Sequence, residues 1–428
     1  MNGLKYSNKI RIVIMAIVAL LVLLGLKIKL LTVAAFLILI ALLLNENLEN
    51  GLCVILFLLS FANIFKMSYE GSSFFTYIQI VPLLKLLQSK RTIKKNSLLS
   101  IAIIVAYSFF NCFINNQSLS VVVKFSTPVI ILILIFSDSE NEEIDGKRLI
   151  LFFSVGVIVA GIIGVFKENI PGLTTYVYSN YSRIDSNTIA YRFSGLSQNP
   201  NYYSIDVSIA VAANVILYLR NQSQKFNFGM LIILIILGVL TQSKSFIISL
   251  GVILALTLFL SMDNVETNQK IISKIILLAI VFMCLCPLLN LNNYITRFTS
   301  IFNRDTNINS FTTGRSDIWL SYLKEIKSSF KLLFIGKGID TISNDIGIAS
   351  HNVYIQLVYN YGVIGTIVYL LFLKYIAERK NDKYYIIIVL TIMIRFFGAN
   401  IAFSLNVFYY YLIAGLLKAN IKNEDKAP

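Results

Sequence analysis

The chain contains one histidine, His351, in the run Ser350-His351-Asn352-Val353-Tyr354 that opens an apolar segment. An imidazole beside a helix start is disfavoured as the cation, so it stays neutral near pH 7 and is able to accept a proton. Arg192 sits in Tyr191-Arg192-Phe193-Ser194-Gly195-Leu196-Ser197-Gln198-Asn199-Pro200-Asn201. Asn199 reads as a helix cap and Pro200 as the first helical residue, which sets a guanidinium a few residues from free backbone donors, a geometry suited to bidentate phosphate contact. Arg315 follows a glycine in Thr312-Thr313-Gly314-Arg315-Ser316-Asp317-Ile318-Trp319, and Lys244 lies in Thr241-Gln242-Ser243-Lys244-Ser245. Each has a plainer reading as a cap, a turn residue, a solvated arginine or a snorkelling lysine. Read together, they offer fixed cations for a departing oxyanion and a base for an incoming hydroxyl. The acids of the same segments, Glu168, Asp185, Asp305, Asp317, Glu325, Asp340 and Asp345, include no Asp-x-Asp pair, so this chemistry calls for no metal and no cofactor.

The elements that position these groups follow from composition. Of 428 residues 57% are apolar and 14% charged, against about 25% charged in soluble domains. A soluble globule and a disordered chain are both excluded. The apolar residues fall into blocks near the length of about 20 residues that spans a bilayer. Candidate spans run over 10–26, 28–44, 51–66, 74–89, 97–114, 119–136, 149–166, 201–219, 228–241, 246–261, 275–290, 353–374, 384–398 and 401–417. The expected fold is an all-α polytopic membrane protein with about 12–14 transmembrane helices. It forms one membrane-embedded domain over 1–428: eleven spans within 10–290, a long, partly helical outer loop over 291–352, and the last spans within 353–417. The first block is read as a retained span, because no small-residue cleavage site follows it. Cys53, Cys112, Cys284 and Cys286 lie in or beside apolar blocks and read as small hydrophobes.

Most of the 37 basic residues fall on segments that alternate to one side when the N-terminus is inside, whereas the short outer loops hold only Lys27, Lys29, Lys66, Lys244 and Arg395. This bias predicts cytoplasmic termini in the cell membrane and a site on the outer face. The net charge of +15 then reflects topology and anionic lipid, and is no argument for nucleic acid. Two longer outer loops carry further cations: Lys167, Arg183 and Arg192, then Arg297, Arg304, Arg315, Lys324, Lys327, Lys331 and Lys337. An anionic ligand is a local reason for them. On the second loop Trp319, Leu323, Ile326 and Phe330 recur at helical spacing, predicting an amphipathic helix over Ser316 to Phe330 that lies on the membrane surface or caps the bundle. Gly336 and Gly338 mark a tight turn, and Ser350 is the expected cap of the next span. The acidic run from Asp138 to Asp145 reads as a solvated loop on the inner side.

Taken in order, Arg-Phe-Ser-Gly-Leu-Ser-Gln-Asn-Pro-Asn, Thr-Gln-Ser-Lys-Ser, Gly-Arg-Ser-Asp-Ile-Trp and Ser-His-Asn-Val-Tyr-Ile-Gln-Leu with Gly362 and Gly365 resemble the O-antigen polymerase and ligase superfamily over residues 150 to 410. The resemblance implies inverting, metal-independent glycosyl transfer on the outer face from a polyprenyl-diphosphate-linked oligosaccharide donor. It assigns His351 as base, Arg192 and Arg315 to the diphosphate, and leaves Lys244, Asn199, Asn201, Asn352, Tyr354 and Asp206 as substrate contacts. Membrane lipid, a second lipid-linked acceptor, a chain-length regulator and a flippase are the partners it implies. One departure is Lys244, where the family pattern has an arginine; lysine keeps the charge and loses the planar fork. The aromatic side chains Tyr294, Tyr322 and Tyr354, suited to sugar, favour a repeat-unit polymerase of capsule or O-antigen type over a ligase that transfers glycan to a lipid or protein. A flippase or transporter is the rival from another class, with Lys124 and Asp206 as its intramembrane ionisable groups.

Overall fold

The computed structural model describes residues 8–262, 314–398 and 405–419, together with 269, 272 and 273, less 70, 89–92, 138–143, 178–180, 186–187, 221–223, 340, 344–345 and 378–382. In hydrocarbon a chain must satisfy its own backbone, so long apolar runs become helices. The first half supplies Asn8–Gly25 (α1), Lys29–Asn45 (α2), Leu48–Leu58 (α3), Phe75–Ile78 (α4), Ile80–Gln88 (α5), Lys95–Ile114 (α6), Leu119–Ser137 (α7), Gly146–Val165 (α8) and Leu173–Tyr176 (α9). The second half supplies Pro200–Leu219 (α10), Gln224–Leu240 (α11), Lys244–Leu260 (α12), Arg315–Ser328 (α13), Phe330–Phe334 (α14), Val353–Ala377 (α15), Tyr385–Phe396 (α16) and Leu405–Ala419 (α17). Among the described residues five helices, α6, α7, α8, α10 and the Val353–Leu373 part of α15, are long and apolar enough to cross a membrane. Of the apolar window of α6 only 28% is buried, and Phe113 at its end is 83% exposed. Apolar surface on that scale suits a lipid neighbour.

Several expected boundaries shift. The run 51–66 is not one helix: α3 ends at Leu58 and passes through a short 3₁₀ turn, Leu59–Phe61. The run 74–89 is divided into α4 and α5 at Gln79. The expected span 275–290 lies outside the described residues, as do Tyr294, Arg297, Arg304 and Asp305. Among the described residues the fold is helical with one exception that periodicity did not indicate, an antiparallel hairpin of Tyr181–Asp185 (β1) and Thr188–Tyr191 (β2), immediately before Arg192.

Helix α10 is the hub. It packs on α8, α11, α12, α16 and α17, and 94% of its apolar window is buried. Close approach is set by glycine: a Cβ at Gly195, whose φ is +54°, would meet the Tyr203 ring at 2.6 Å, and one at Gly164 would meet the Gly195 backbone at 2.6 Å. The segment carrying Arg192 is thereby pressed onto α8. At the opposite end of the bundle Arg11 is buried in a bidentate pair with Glu46 at 2.8 and 2.9 Å. Asn50 Nδ2 donates to the same carboxylate at 2.8 Å. Arg148 pairs with Glu49 at 3.1 Å beside it.

The loop helices also differ from expectation. The amphipathic helix stops at Ser328 because Ser329 is extended (φ −142°, ψ 127°) and then caps α14 through its side chain. Its buried face is Tyr322 and Ile326, while Leu323 is 40% and Phe330 82% exposed. Tyr322 therefore belongs to this small core, donating to Ile348 O at 2.8 Å, and is not a sugar platform. The Gly336 and Gly338 turn forms as expected, with φ +88° and +115°. It docks on a kink in α15 at Gly362 (φ 62°, ψ −176°), where Lys337 N donates to Tyr359 O at 2.8 Å and Gly338 N to Asn360 O at 3.1 Å. A Cβ at Gly362 would lie 2.2 Å from the Phe334 carbonyl carbon. Asn111 of α6 joins the two by donating to Ile335 O at 2.6 Å and Asn360 O at 3.3 Å.

Candidate active site

The residues singled out for chemistry gather at one end of the bundle, where α10, α12, α13 and α15 begin and α11 and α16 end. Asn199 caps α10 by accepting from Asn201 N at 2.8 Å, with Pro200 in the first turn. That contact explains Asn199 without a ligand. Asn201, two residues on, is the junction: its Oδ1 accepts from Arg192 NH2 at 3.0 Å, and its carbonyl accepts from Arg395 NH2 at 3.0 Å. Arg192 Nε donates to Thr241 O at 3.0 Å, tying its head to the α11–α12 turn. Lys244 is half-buried at the first position of α12 on the same turn.

Arg395 is the residue that the sequence reading missed. It was assigned only to a short outer loop, yet it is 1% exposed and sits between three helices. NH1 donates to Ser245 Oγ at 2.7 Å, and NH2 also donates to Ser204 Oγ. Its Nε is buried without a hydrogen-bond partner. Arg192 and Arg315 are both close enough to repel it electrostatically. The signal available in the sequence was an arginine at the end of a strongly apolar helix, a placement that is costly in lipid and calls for a reason.

Arg315 opens α13 after Gly314, which takes φ +81° as the left-handed residue before the helix. Its NH1 reaches Gly398 O at 3.4 Å, and burial pushes its pKa down from the ordinary arginine value. Trp319, one turn later, donates from Nε1 to Ser350 O at 2.9 Å and pins α13 to the segment before α15. That latch carries Arg315 to His351. Burial, and then the charge of Arg315, lower the His351 pKa below 6.5, so the neutral imidazole dominates at pH 7. His351 itself holds φ +51°, a left-handed conformation that costs a non-glycine residue about 1 kcal/mol or more.

Two assignments change. Ser350 does not cap α15; Asn352 does, its Oδ1 accepting from Tyr354 N at 3.0 Å and Ile355 N at 3.3 Å, while Ser350 Oγ braces Asn352 from behind by donating to its carbonyl at 2.9 Å. Asn352, 4% exposed, is thus the helix cap next to His351, its side-chain oxygen engaged by the backbone. Tyr354 packs against Phe396 and Phe397 and donates to Met393 O at 3.0 Å, which fixes α16 beside α15 and leaves its hydroxyl engaged.

Asp206 lies deeper in α10 and is apart from the arginines. Ser60 Oγ donates to it at 3.3 Å, Asn406 Nδ2 at 3.4 Å, and the Tyr410 hydroxyl also donates to it. Lys124, the other ionisable group of the transporter reading, bonds Ser72 Oγ at 3.4 Å near the start of α7. Among the described residues no carboxylate pairs with Arg315 or Arg395, and no cluster of three or more His, Cys, Asp or Glu side chains suits a metal. Burying cations without counter-charge is expensive unless an anion arrives. Chemically, the arrangement can hold an anion beside a neutral imidazole.

Comparison with protein-family models yields no match, and no curated protein matches the chain.

Proposed function

We propose that the chain is a glycosyltransferase of the cell membrane, working at the outer face, that joins polyprenyl-diphosphate-linked oligosaccharide units into a polysaccharide. The observation that carries this reading is the convergence of Arg192, Arg315 and Arg395 on one junction with His351 beside it and, among the described residues, no paired carboxylate on Arg315 or Arg395. A diphosphate leaves readily when its developing charge is compensated, and guanidinium groups in a partly dehydrated site supply that compensation. The acceptor hydroxyl oxygen attacks the anomeric carbon of the donor and forms the new glycosidic bond. The bond from that carbon to the diphosphate oxygen breaks, its electron pair leaving with the polyprenyl diphosphate, and the hydroxyl proton passes to the neutral His351 ring. Attack opposite the leaving group inverts the anomeric centre. The positive-inside bias supports the outward orientation, and the resemblance supplies the lipid-linked acceptor that makes the enzyme a polymerase.

The test is to incubate the purified protein with lipid-diphosphate repeat units and size the product. Longer chains from the wild-type protein and none from His351→Ala support the reading. Movement of labelled lipid-linked oligosaccharide across liposomes without bond formation overturns it in favour of a transporter.

A further inference from the structure

We propose that a cavity of about 340 Å³ is a glycan subsite that the amino-terminal half of the chain builds together with α10 and α17. It falls within the size range of small-molecule sites, ~300–1,000 Å³. Its wall combines Asn63 and Lys66 from the segment after α3 with Gln198 just before α10, Tyr202 and Asp206 in its first two turns and Asn406 from α17. Amide, hydroxyl, carboxylate and aromatic groups in one wall are the set that recognises sugar, whose hydroxyls both donate and accept and whose faces are apolar.

The central acceptor is rigid. Asp206 receives bonds from Ser60, Asn406 and Tyr410, and a carboxylate offers about four acceptor sites, so one remains for a ligand hydroxyl. Asn63 is likewise fixed, its Nδ2 donating to Tyr176 O and Leu196 O at 3.0 Å each. Leu59, Ala62, Phe75 and Ile205 supply the apolar part of the wall, against which a sugar face packs, and a bare phosphate would face the Asp206 carboxylate. Tyr202 lines the cavity and lies beside Arg315, so a sugar held here is adjacent to the arginine junction. This inference deepens the glycosyl-transfer reading and rests on it for the arrival of a glycan. It also gives the amino-terminal region, which the family resemblance does not cover, a role in choosing that glycan.

The experiment uses the full chain in nanodiscs and two probes: the free oligosaccharide repeat, released from the lipid-linked precursor by mild acid and followed by saturation-transfer NMR, and polyprenyl diphosphate, followed by retention on the immobilised protein. Ala62→Trp fills the cavity; Gln198→Ala removes one wall group should the tryptophan variant fail to fold. The expected result is an oligosaccharide signal from the wild type, weakened at least tenfold in either variant, with diphosphate retention unchanged. An undiminished signal in both variants overturns the subsite, as does the absence of any signal from a wild-type protein that retains polyprenyl diphosphate. If the wild type binds oligosaccharide through this cavity yet does not retain polyprenyl diphosphate, the subsite stands and the transfer reading fails.

Discussion

Replacing Arg395 with methionine keeps most of the buried stem and deletes the guanidinium, which separates a structural role from a ligand-binding one. The structural loss is limited, because every acceptor that Arg395 uses has a second partner. Ser204 Oγ donates to Asn201 O at 2.8 Å, which also satisfies that carbonyl, and Ser245 Oγ pairs with Ser243 Oγ at 3.1 Å. Three hydrogen bonds from a charged donor are lost, each about 1.5–3 kcal/mol. Against this stand the several kcal/mol it costs to bury an ion and the repulsion from Arg192 and Arg315. The terms oppose each other, so the loss of stability should fall below the roughly 4–9 kcal/mol that the three bonds alone would give. Binding is different: one charge-assisted contact to the diphosphate, about 1.5–3 kcal/mol, corresponds to roughly 10–150-fold in affinity. Thermal unfolding in detergent and retention of polyprenyl diphosphate measure the two quantities on the same preparation. A strongly destabilised variant that binds diphosphate normally refutes the reasoning and makes Arg395 a staple between α10, α12 and α16.

Other outcomes follow from the same geometry. His351→Asn keeps a residue tolerant of the left-handed backbone, so the protein should fold normally and lose about 10²–10⁴-fold in transfer rate; a normal rate removes the base assignment. Because burial and the Arg315 charge both disfavour the imidazolium, activity should fall on acidification only below pH 6.5, and Arg315→Gln should move that limb upward; a pH–rate profile with its limb above 6.5 in the wild type contradicts this. Gly362→Ala places a Cβ against the Phe334 backbone at a φ of +62°. It should cost about 2–6 kcal/mol from strain and overpacking, read as a lower Tm. Glu46→Gln strands Arg11 at the far end of the bundle and should cost about 3–5 kcal/mol while the specific activity of the surviving folded fraction is unchanged.

The helical fold was legible because apolar blocks in a chain with so few charges have little else to become. Arg192, Arg315, Lys244 and His351 were legible as individual cations and a base beside helix starts, and the structure brings them to one end. Their connection was not, since it depends on contacts such as Trp319 to Ser350 that span sequence positions without any periodic signature. Arg395 was hidden for a related reason: a lone arginine at the end of an apolar run looks like an interfacial anchor until its neighbours are known. The caps were misread at Ser350 because Ser350 and Asn352 are both good capping residues, and only backbone geometry decides between them. The β hairpin before Arg192 escaped notice because its strands are short and carry no clean alternation.

The most direct measurement is the affinity of polyprenyl diphosphate for the wild-type protein and for Arg192→Gln combined with Arg315→Gln, at low and high salt. Loss of two charge-assisted contacts should weaken binding by about 10²-fold or more and flatten the salt dependence. Equal affinity and equal salt dependence in the two proteins would contradict the claim that these arginines hold the leaving diphosphate.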